Sequence, residues 1–153
     1  MSYATIRTAL ATRLGAVSGG PSVVHSRIRW TNDNADGSVF QALFMGAGAR
    51  LNFAQFTRKA RRSTRSPQDA RRIVRHDLEI YLSMALDDGD TSETLFQDML
   101  EAIALNLETG DRTLGTVCKT HSDPEILDIG HEMRDQILCH GATIKITVEE
   151  VLA

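Results

Sequence analysis

Residues 73–86 read IVRHDLEIYLSMAL, a segment in which apolar and polar side chains alternate. Successive side chains of a β-strand point to opposite faces of a sheet, so this period predicts a strand with one buried face. His76 falls on that face, where a hydrogen-bonded core histidine is expected rather than a general base. The apolar residues of the face are Val74, Leu78, Ile80, Leu82, Met84 and Leu86.

A helix is predicted directly after this strand, over residues 92–107. Asp90 and Glu93 have the spacing of a capping box, which marks a helix start, and Gly110 is placed to end the helix. Apolar side chains recur at helical spacing, so the helix is expected to pack on the sheet. These side chains are Leu95, Phe96, Met99, Leu100, Ile103 and Leu107.

Periodicity predicts three further elements. Residues 4–17 have the apolar spacing of a helix, whereas residues 23–30 and 137–148 alternate as strands do. The Asn-, Asp- and Gly-rich residues 32–37 are typical of a turn.

Two segments are less regular. Residues 39–56 are apolar and favour one interrupted strand or two short ones, because Gly46 and Gly48 are typical of a bulge or close backbone approach. Residues 113–135 stay open, with short elements at 114–119 and 126–129 as alternatives. Together the elements predict an α+β fold, in which a small mixed, mostly antiparallel sheet packs against two helices.

Length and composition indicate one globular domain over residues 1–153. Hydrophobic residues make up 42% of the chain and charged residues 24%, which suits a single hydrophobic core. No apolar run reaches the length of a membrane span, and the first twenty residues lack the order of a signal peptide. The sequence therefore predicts a protein made and kept in the cytoplasm, where Cys118 and Cys139 stay reduced.

Charge is distributed unevenly along the chain. Residues 50–75 hold nine basic residues and one acidic residue, a net charge of +8, while residues 76–153 hold four basic and seventeen acidic residues, a net charge of −13. Complementary fields of this kind favour association with a polyanion or with a second copy of the chain.

The basic residues are densest in residues 57–72, TRKARRSTRSPQDARR, which lack an apolar anchor and contain the turn-forming pair Ser66 and Pro67. This pattern predicts a mobile basic loop or the tip of a long hairpin. The segment is either a solvated surface or a surface that binds a partner. The candidate partner-binding residues are Arg58, Lys59, Arg61, Arg62, Arg65, Arg71 and Arg72.

Catalytic and cofactor motifs are not found in the sequence. Residues 46–48 lack the remaining residues of a nucleotide-binding loop, and neither a nucleophile elbow nor a zinc-protease helix motif occurs. The acidic residues 87, 88 and 90 are explained by a turn and a helix cap. We therefore predict no enzyme activity and no cofactor.

One group of residues has the composition of a metal site. Cys118 and His121 have a C-x-x-H spacing, and Cys139 and His140 follow about twenty residues later. Adjacent strand residues point to opposite faces, however, so Cys139 and His140 are not expected to complete one tetrahedral site. No bound metal is predicted.

The order of elements resembles that of the tail terminator, or tail-completion, proteins of long-tailed bacteriophages and gene transfer agents. The resemblance covers nearly the whole chain: a short N-terminal helix, a strand region with a basic excursion over 39–72, an alternating strand that leads into a helix over 73–107, and the terminal strand CHGATIKITV over 139–148. It depends on no short motif and implies no residue-level site.

The resemblance implies a structural virion protein of the tail and neck, assembled in the host cytoplasm. Such a protein forms a ring, typically a hexamer, on the head-proximal end of the tail tube. The ring ends tube growth and joins the tail to a connector or stopper protein, while DNA passes through its channel without specific binding. No membrane partner is implied.

Three alternatives remain open. The first is another neck component, such as a head–tail connector or stopper. The second is a nucleic-acid-binding module that uses residues 58–75, whose affinity falls steeply with salt. The third is a small-molecule enzyme, for which the sequence offers no identifiable site.

Overall fold

The computed structural model describes residues 2–29, 38–45, 50–68, 70–87, 90–134 and 136–152, with the side chains of 38–40 and 90 left out. Helices and strands alternate irregularly along the chain. In order, they are α1 (Tyr3–Gly15), β1 (Val23–His25), α2 (Ser38–Phe44), β2 (Asn52–Arg65), β3 (Arg72–Ala85), α3 (Asp90–Thr109), β4 (Thr120–His121), β5 (Glu125–Arg134) and β6 (Ile137–Leu152).

The strands form one sheet in the order β1-β2-β3-β6-β4, and β5 also pairs with β6. Strand β1 runs parallel to β2, and all the other pairings are antiparallel. The predicted α/β content and the mixed, mostly antiparallel sheet are therefore confirmed.

The alternating segment forms β3 as predicted, and it is the central strand of the sheet. Strand β3 pairs with β2 on one side and with β6 on the other along its whole length. Val74, Leu78, Ile80 and Leu82 are at most 1% exposed. They belong to the side of the sheet that packs against α1 and α3, here called the helix face; the opposite side is called the outer face.

Helices α1 and α3 supply the rest of this core, and both were predicted. Ile6, Leu10 and Leu14 of α1 are fully buried, as is the predicted stripe of α3 apart from its first member. Leu95 is 45% exposed, which corrects the predicted stripe. At 3.6 residues per turn, Leu95 lies roughly 90° around the helix from the centre of the buried residues.

A third helix corrects the prediction of two helices and of a strand beginning near residue 39. Residues 38–44 form α2, and its Phe44 packs on Phe53 of β2 with a ring-centroid distance of 4.4 Å. With Leu51 and Cys139 these rings form a second, smaller cluster. Periodicity does not separate a strand from a helix in so short an apolar run, so tertiary packing determines which of the two forms. Gly46 and Gly48 lie outside the described residues.

Strand β1 is shorter than predicted, since it covers only Val23–His25. The end of the predicted strand at residue 30 and the predicted turn at 32–37 lie outside the described residues. Strand β6 is longer than predicted and continues to Leu152.

The open segment 113–135 resolves into turns followed by two strands. Residues 114–119 are not a strand, because Leu114, Gly115 and Thr116 all have positive φ angles, between 50° and 70°. The alternative near 126–129 is a much longer strand, β5, in which the register shifts between Leu127 and Gly130.

The predicted basic loop is not confirmed. Residues 57–65 continue β2 and pair with β3, so only residues 66–71 connect the two strands. The long hairpin, which was the alternative to a loop, describes this segment. Within the described ranges, no helix is long and apolar enough to cross a membrane.

Candidate interaction surface

A β-bulge divides the basic residues of β2 between the two faces of the sheet. Arg58 lies opposite Leu78 and Ala60 lies opposite Asp77, so Lys59 is the extra residue. Residues directly opposite each other on antiparallel strands share a face. Arg58, Arg61 and Arg65 therefore lie on the helix face, whereas Arg62 lies on the outer face. The candidate residues do not form one continuous surface.

On the outer face, the basic residues are paired with carboxylates of the same chain. Lys59 Nζ lies 3.4 Å from Glu79 Oε2, and Arg62 forms an ion pair with Asp77. The Tyr81 hydroxyl donates a hydrogen bond to Glu79 and, with Lys59 nearby, holds the pKa of Glu79 below its usual value. Lys59 and Arg62 are thus neutralised within the subunit.

On the helix face, Arg58 packs into the protein's own structure. Its guanidinium carbon lies 4.3 Å from the centroid of the Tyr3 ring, and its Nη1 lies 3.4 Å from Nδ1 of His76. His76 Nε2 lies 3.1 Å from Oε2 of the buried Glu150. Because a guanidinium only donates, Nδ1 accepts and the Nε2 hydrogen is donated to Glu150. The prediction that His76 is a hydrogen-bonded core histidine is confirmed.

The exposed residues Arg61, Arg65 and Arg72 are different. Arg65 lies directly opposite Arg72, and two like charges in this arrangement destabilise a sheet. Among the described residues no ion pair involves any of these three. Arg71 is exposed in the connection between the strands. Arg61, Arg65 and Arg72 are therefore the basic groups best placed to meet another molecule.

Arg61 and Arg65 lie on β2, along one edge of the sheet, and Arg72 lies beside Arg65 on the neighbouring strand β3. Strand β1 pairs with β2 only as far as Gln55, so in the described part of the chain no strand pairs with the outer edge of β2 over residues 57–65. An edge of this length exposes unpaired backbone N–H and C=O groups. The positive charge along it opposes pairing with another basic edge.

The other edge of the sheet is acidic, which the sequence did not indicate. Strand β5 pairs with β6 on one side only, and it carries Glu125, Asp128 and Glu132, of which Glu132 forms an ion pair with Arg134 of the same strand. Glu125 and Asp128 are exposed. The register shift inside β5 breaks the alternation by which a strand is recognised, so this segment stayed open at the level of sequence.

The four residues of the suggested metal site do not come together. His121 lies opposite Val148 on β6, eight positions and roughly 26 Å along the strand from His140. Cys139 belongs to the second cluster, on the opposite face from His140, which stacks on Phe96 at 5.4 Å. No cluster of metal-ligating side chains is present within the described ranges.

Both thiols are buried and unreactive in character. Burial raises the pKa of Cys118 and of Cys139 to about 11, so neither is a thiolate at neutral pH. Asp87 forms an ion pair with Arg50, while Asp88 and the side chain of Asp90 lie outside the described residues.

Neither a protein-family model nor a curated protein matches this sequence. The charged edges on β2 and β5 and the order of elements are therefore the basis on which a function is proposed.

Proposed function

We propose that this chain is a structural virion protein that forms a ring on the head-proximal end of a phage-type tail tube, ends tube growth and joins the tail to the head. The observation that supports the ring is the opposite charge of the two edges of one sheet. The basic edge of β2 and the acidic edge of β5 are complementary between copies.

Contact between two different surfaces of one subunit is heterologous, and it generates a closed ring when the rotation between copies closes. In the proposed ring, Arg61, Arg65 and Arg72 of each subunit meet Glu125 and Asp128 of the next. The number of subunits expected from the resemblance is six. The tube protein and a connector or stopper protein bind the two ends of the ring, and DNA passes through it without specific contacts.

The test is neutralisation of the exposed arginines against a matched control. The test variant carries Arg61→Gln, Arg65→Gln and Arg72→Gln, whereas the control carries Lys59→Gln, Arg62→Gln and Lys145→Gln on the outer face, where each cation has a partner in the chain. Both variants lose three positive charges. Sedimentation and negative-stain images at low salt should show closed rings for the native chain and the control, and monomers for the test variant.

Two results would contradict the proposal. One is a native chain that stays monomeric at high concentration and low salt. The other is a test variant that assembles as well as the control. Capping of purified tail tubes, seen as tubes of fixed length, then separates a terminator from a connector or stopper.

A second candidate is a nucleic-acid-binding module, which the exposed Arg61, Arg65 and Arg72 favour. Three phosphate contacts give a slope of log affinity against log salt of about −2.7 on duplex DNA. Tyr81 does not supply a base-stacking ring beside these arginines, because it lies on the outer face, where its hydroxyl donates a hydrogen bond to Glu79. A monomer that retains nucleic acid until salt releases it would favour this candidate over the ring.

A further inference from the structure

A small pocket of about 190 Å³ lies beside the start of α1 and is lined by three guanidinium groups. Arg7 comes from α1, Arg27 follows β1 and Arg58 belongs to β2. Among the described residues no carboxylate lines the pocket, and the other lining residues are Tyr3, Ser26, Phe56 and Thr57.

The fold brings these distant residues together through two local features. Parallel pairing places Val23 opposite Phe53, so the chain after β1 continues alongside Thr57 and Arg58. Tyr3 and Arg7 are four residues apart on α1 and therefore lie on the same side of the helix. The sequence separations hide this cluster from any local pattern.

The described residues give these arginines no counter-charge. The guanidinium carbons of Arg58 and Arg7 lie 4.3 Å and 5.9 Å from the centroid of the same Tyr3 ring. No ion pair in the described ranges joins Arg7, Arg27 or Arg58 to a carboxylate. Three like charges around one pocket repel one another, and an anion between them removes this repulsion.

The Arg7 side chain has an unsatisfied donor. Its Nε atom is buried and has no hydrogen-bond partner among the described residues. A buried donor without a partner costs free energy, and such groups are rare in folded proteins. The described residues thus leave part of the Arg7 side chain without a partner.

We propose that this pocket binds a phosphate group through Arg7, Arg27 and Arg58. A tetrahedral phosphate of charge near −2 accepts more hydrogen bonds than a carboxylate, and guanidinium groups match its geometry in pairs. Ser26 and Thr57 also line the pocket. The phosphate is either a free phosphate or a phosphate of a nucleic acid. The proposal does not depend on ring assembly.

Isothermal titration of the full chain at low ionic strength tests the site, with inorganic phosphate as one probe and a short single-stranded oligonucleotide as the other. The site variants are Arg27→Gln and, separately, Arg7→Lys, which keeps the charge but removes the Nε donor at that position. The control is Arg62→Gln, which removes an exposed charge of β2 on the outer face, away from the pocket and from the proposed ring interface. Urea unfolding of each variant checks that it folds.

We expect saturable phosphate binding to the native chain that is at least tenfold weaker in Arg27→Gln and unchanged in Arg62→Gln. If the oligonucleotide binds and free phosphate does not, with the same dependence on Arg27, the phosphate belongs to a nucleic acid. Failure of both probes to bind, or equal loss in Arg27→Gln and Arg62→Gln, would overturn the proposal. Ring assembly is measured separately by sedimentation, so failure of the phosphate site and failure of the ring are distinguishable.

Discussion

The role of a single side chain in this protein depends on which element packs over it. Arg58 and Arg61 are three residues apart in the chain and on the same face, yet Arg58 stacks on Tyr3 and contacts His76, whereas Arg61 is exposed. The buried contacts of Arg58 fix the tautomer of His76. Charge in the sequence is thus divided between groups that hold the fold and groups that face solvent.

Two histidines should make stability depend on pH near neutrality. Burial lowers the pKa of His121 and of His140 below that of an unfolded histidine. As the pH falls through about 6.5, the unfolded state therefore binds more protons than the folded state, and the free energy of unfolding decreases. Urea unfolding at pH 7.5 and pH 5.5 measures this decrease. The lowered pKa values of Glu79 and Glu149 act only at more acidic pH.

The variant His140→Gln should show a smaller decrease between the two pH values than the native chain. Ser92→Ala is the matched control, because it removes the hydrogen bond between Ser92 Oγ and His140 Nε2 at 3.0 Å and keeps the titrating ring. We expect it to lower stability at both pH values and to keep most of the pH dependence. An unchanged decrease in His140→Gln would show that this ring is not responsible.

At the scale of elements, α3 shows how burial differs between residues that share an apolar character. Leu107 is fully buried against the sheet, whereas Leu95 is 45% exposed. Leu107→Ala should lower the free energy of unfolding by about 2–5 kcal/mol, since it leaves a cavity in the core. Leu95→Ala should cost about 0.5 kcal/mol or less. Urea unfolding of both variants measures these two decreases in the free energy of unfolding. Equal decreases would contradict the packing described for α3.

The sequence predicted the elements whose patterns are local and regular. Strand β3 and helices α1 and α3 each carry a full period of buried side chains, so their type and approximate bounds follow from the chain alone. Helix α2 was mistaken for a strand because seven residues hold too little periodicity, and its packing on Phe53 depends on β2. Strand β5 was predicted only as a short element at 126–129, because its register shifts between Leu127 and Gly130.

The candidate surface was predicted only in part, because its arrangement depends on contacts between residues that are far apart in the sequence. The sequence identified the basic residues, but it did not show that Lys59 is a bulge that places Arg61 and Arg62 on opposite faces. The partners Glu79 and Asp77 are far along the chain and become neighbours only through strand pairing. The acidic edge and the arginine pocket depend on the same long-range contacts.

At the scale of the whole molecule, the uneven charge of the sequence is partly cancelled inside the subunit. Lys59, Arg62 and Arg75 of the basic segment 50–75 pair with Glu79, Asp77 and Glu149 of the acidic segment 76–153. The described residues leave a basic edge on β2 and an acidic edge on β5 at the surface. In the proposed ring these two edges, rather than the total charge, direct the contact between subunits.

Charge reversal of the two edges gives the sharpest prediction of the ring. One variant carries Arg61→Glu, Arg65→Glu and Arg72→Glu, so both of its edges are acidic; the other carries Glu125→Lys and Asp128→Lys, so both are basic. Each variant alone should stay monomeric, because like edges repel. An equal mixture should form closed rings in sedimentation and negative-stain images.

The mixture can close only when the two variants alternate, which requires an even number of subunits and is compatible with six. Addition of the first variant to the native chain is the control: it should give short open oligomers, since its reversed β2 edge ends every row. If both variants fold but their mixture stays monomeric, the edges are not the interface. If the mixture closes and the control does not, complementary edges of one sheet are sufficient to direct assembly.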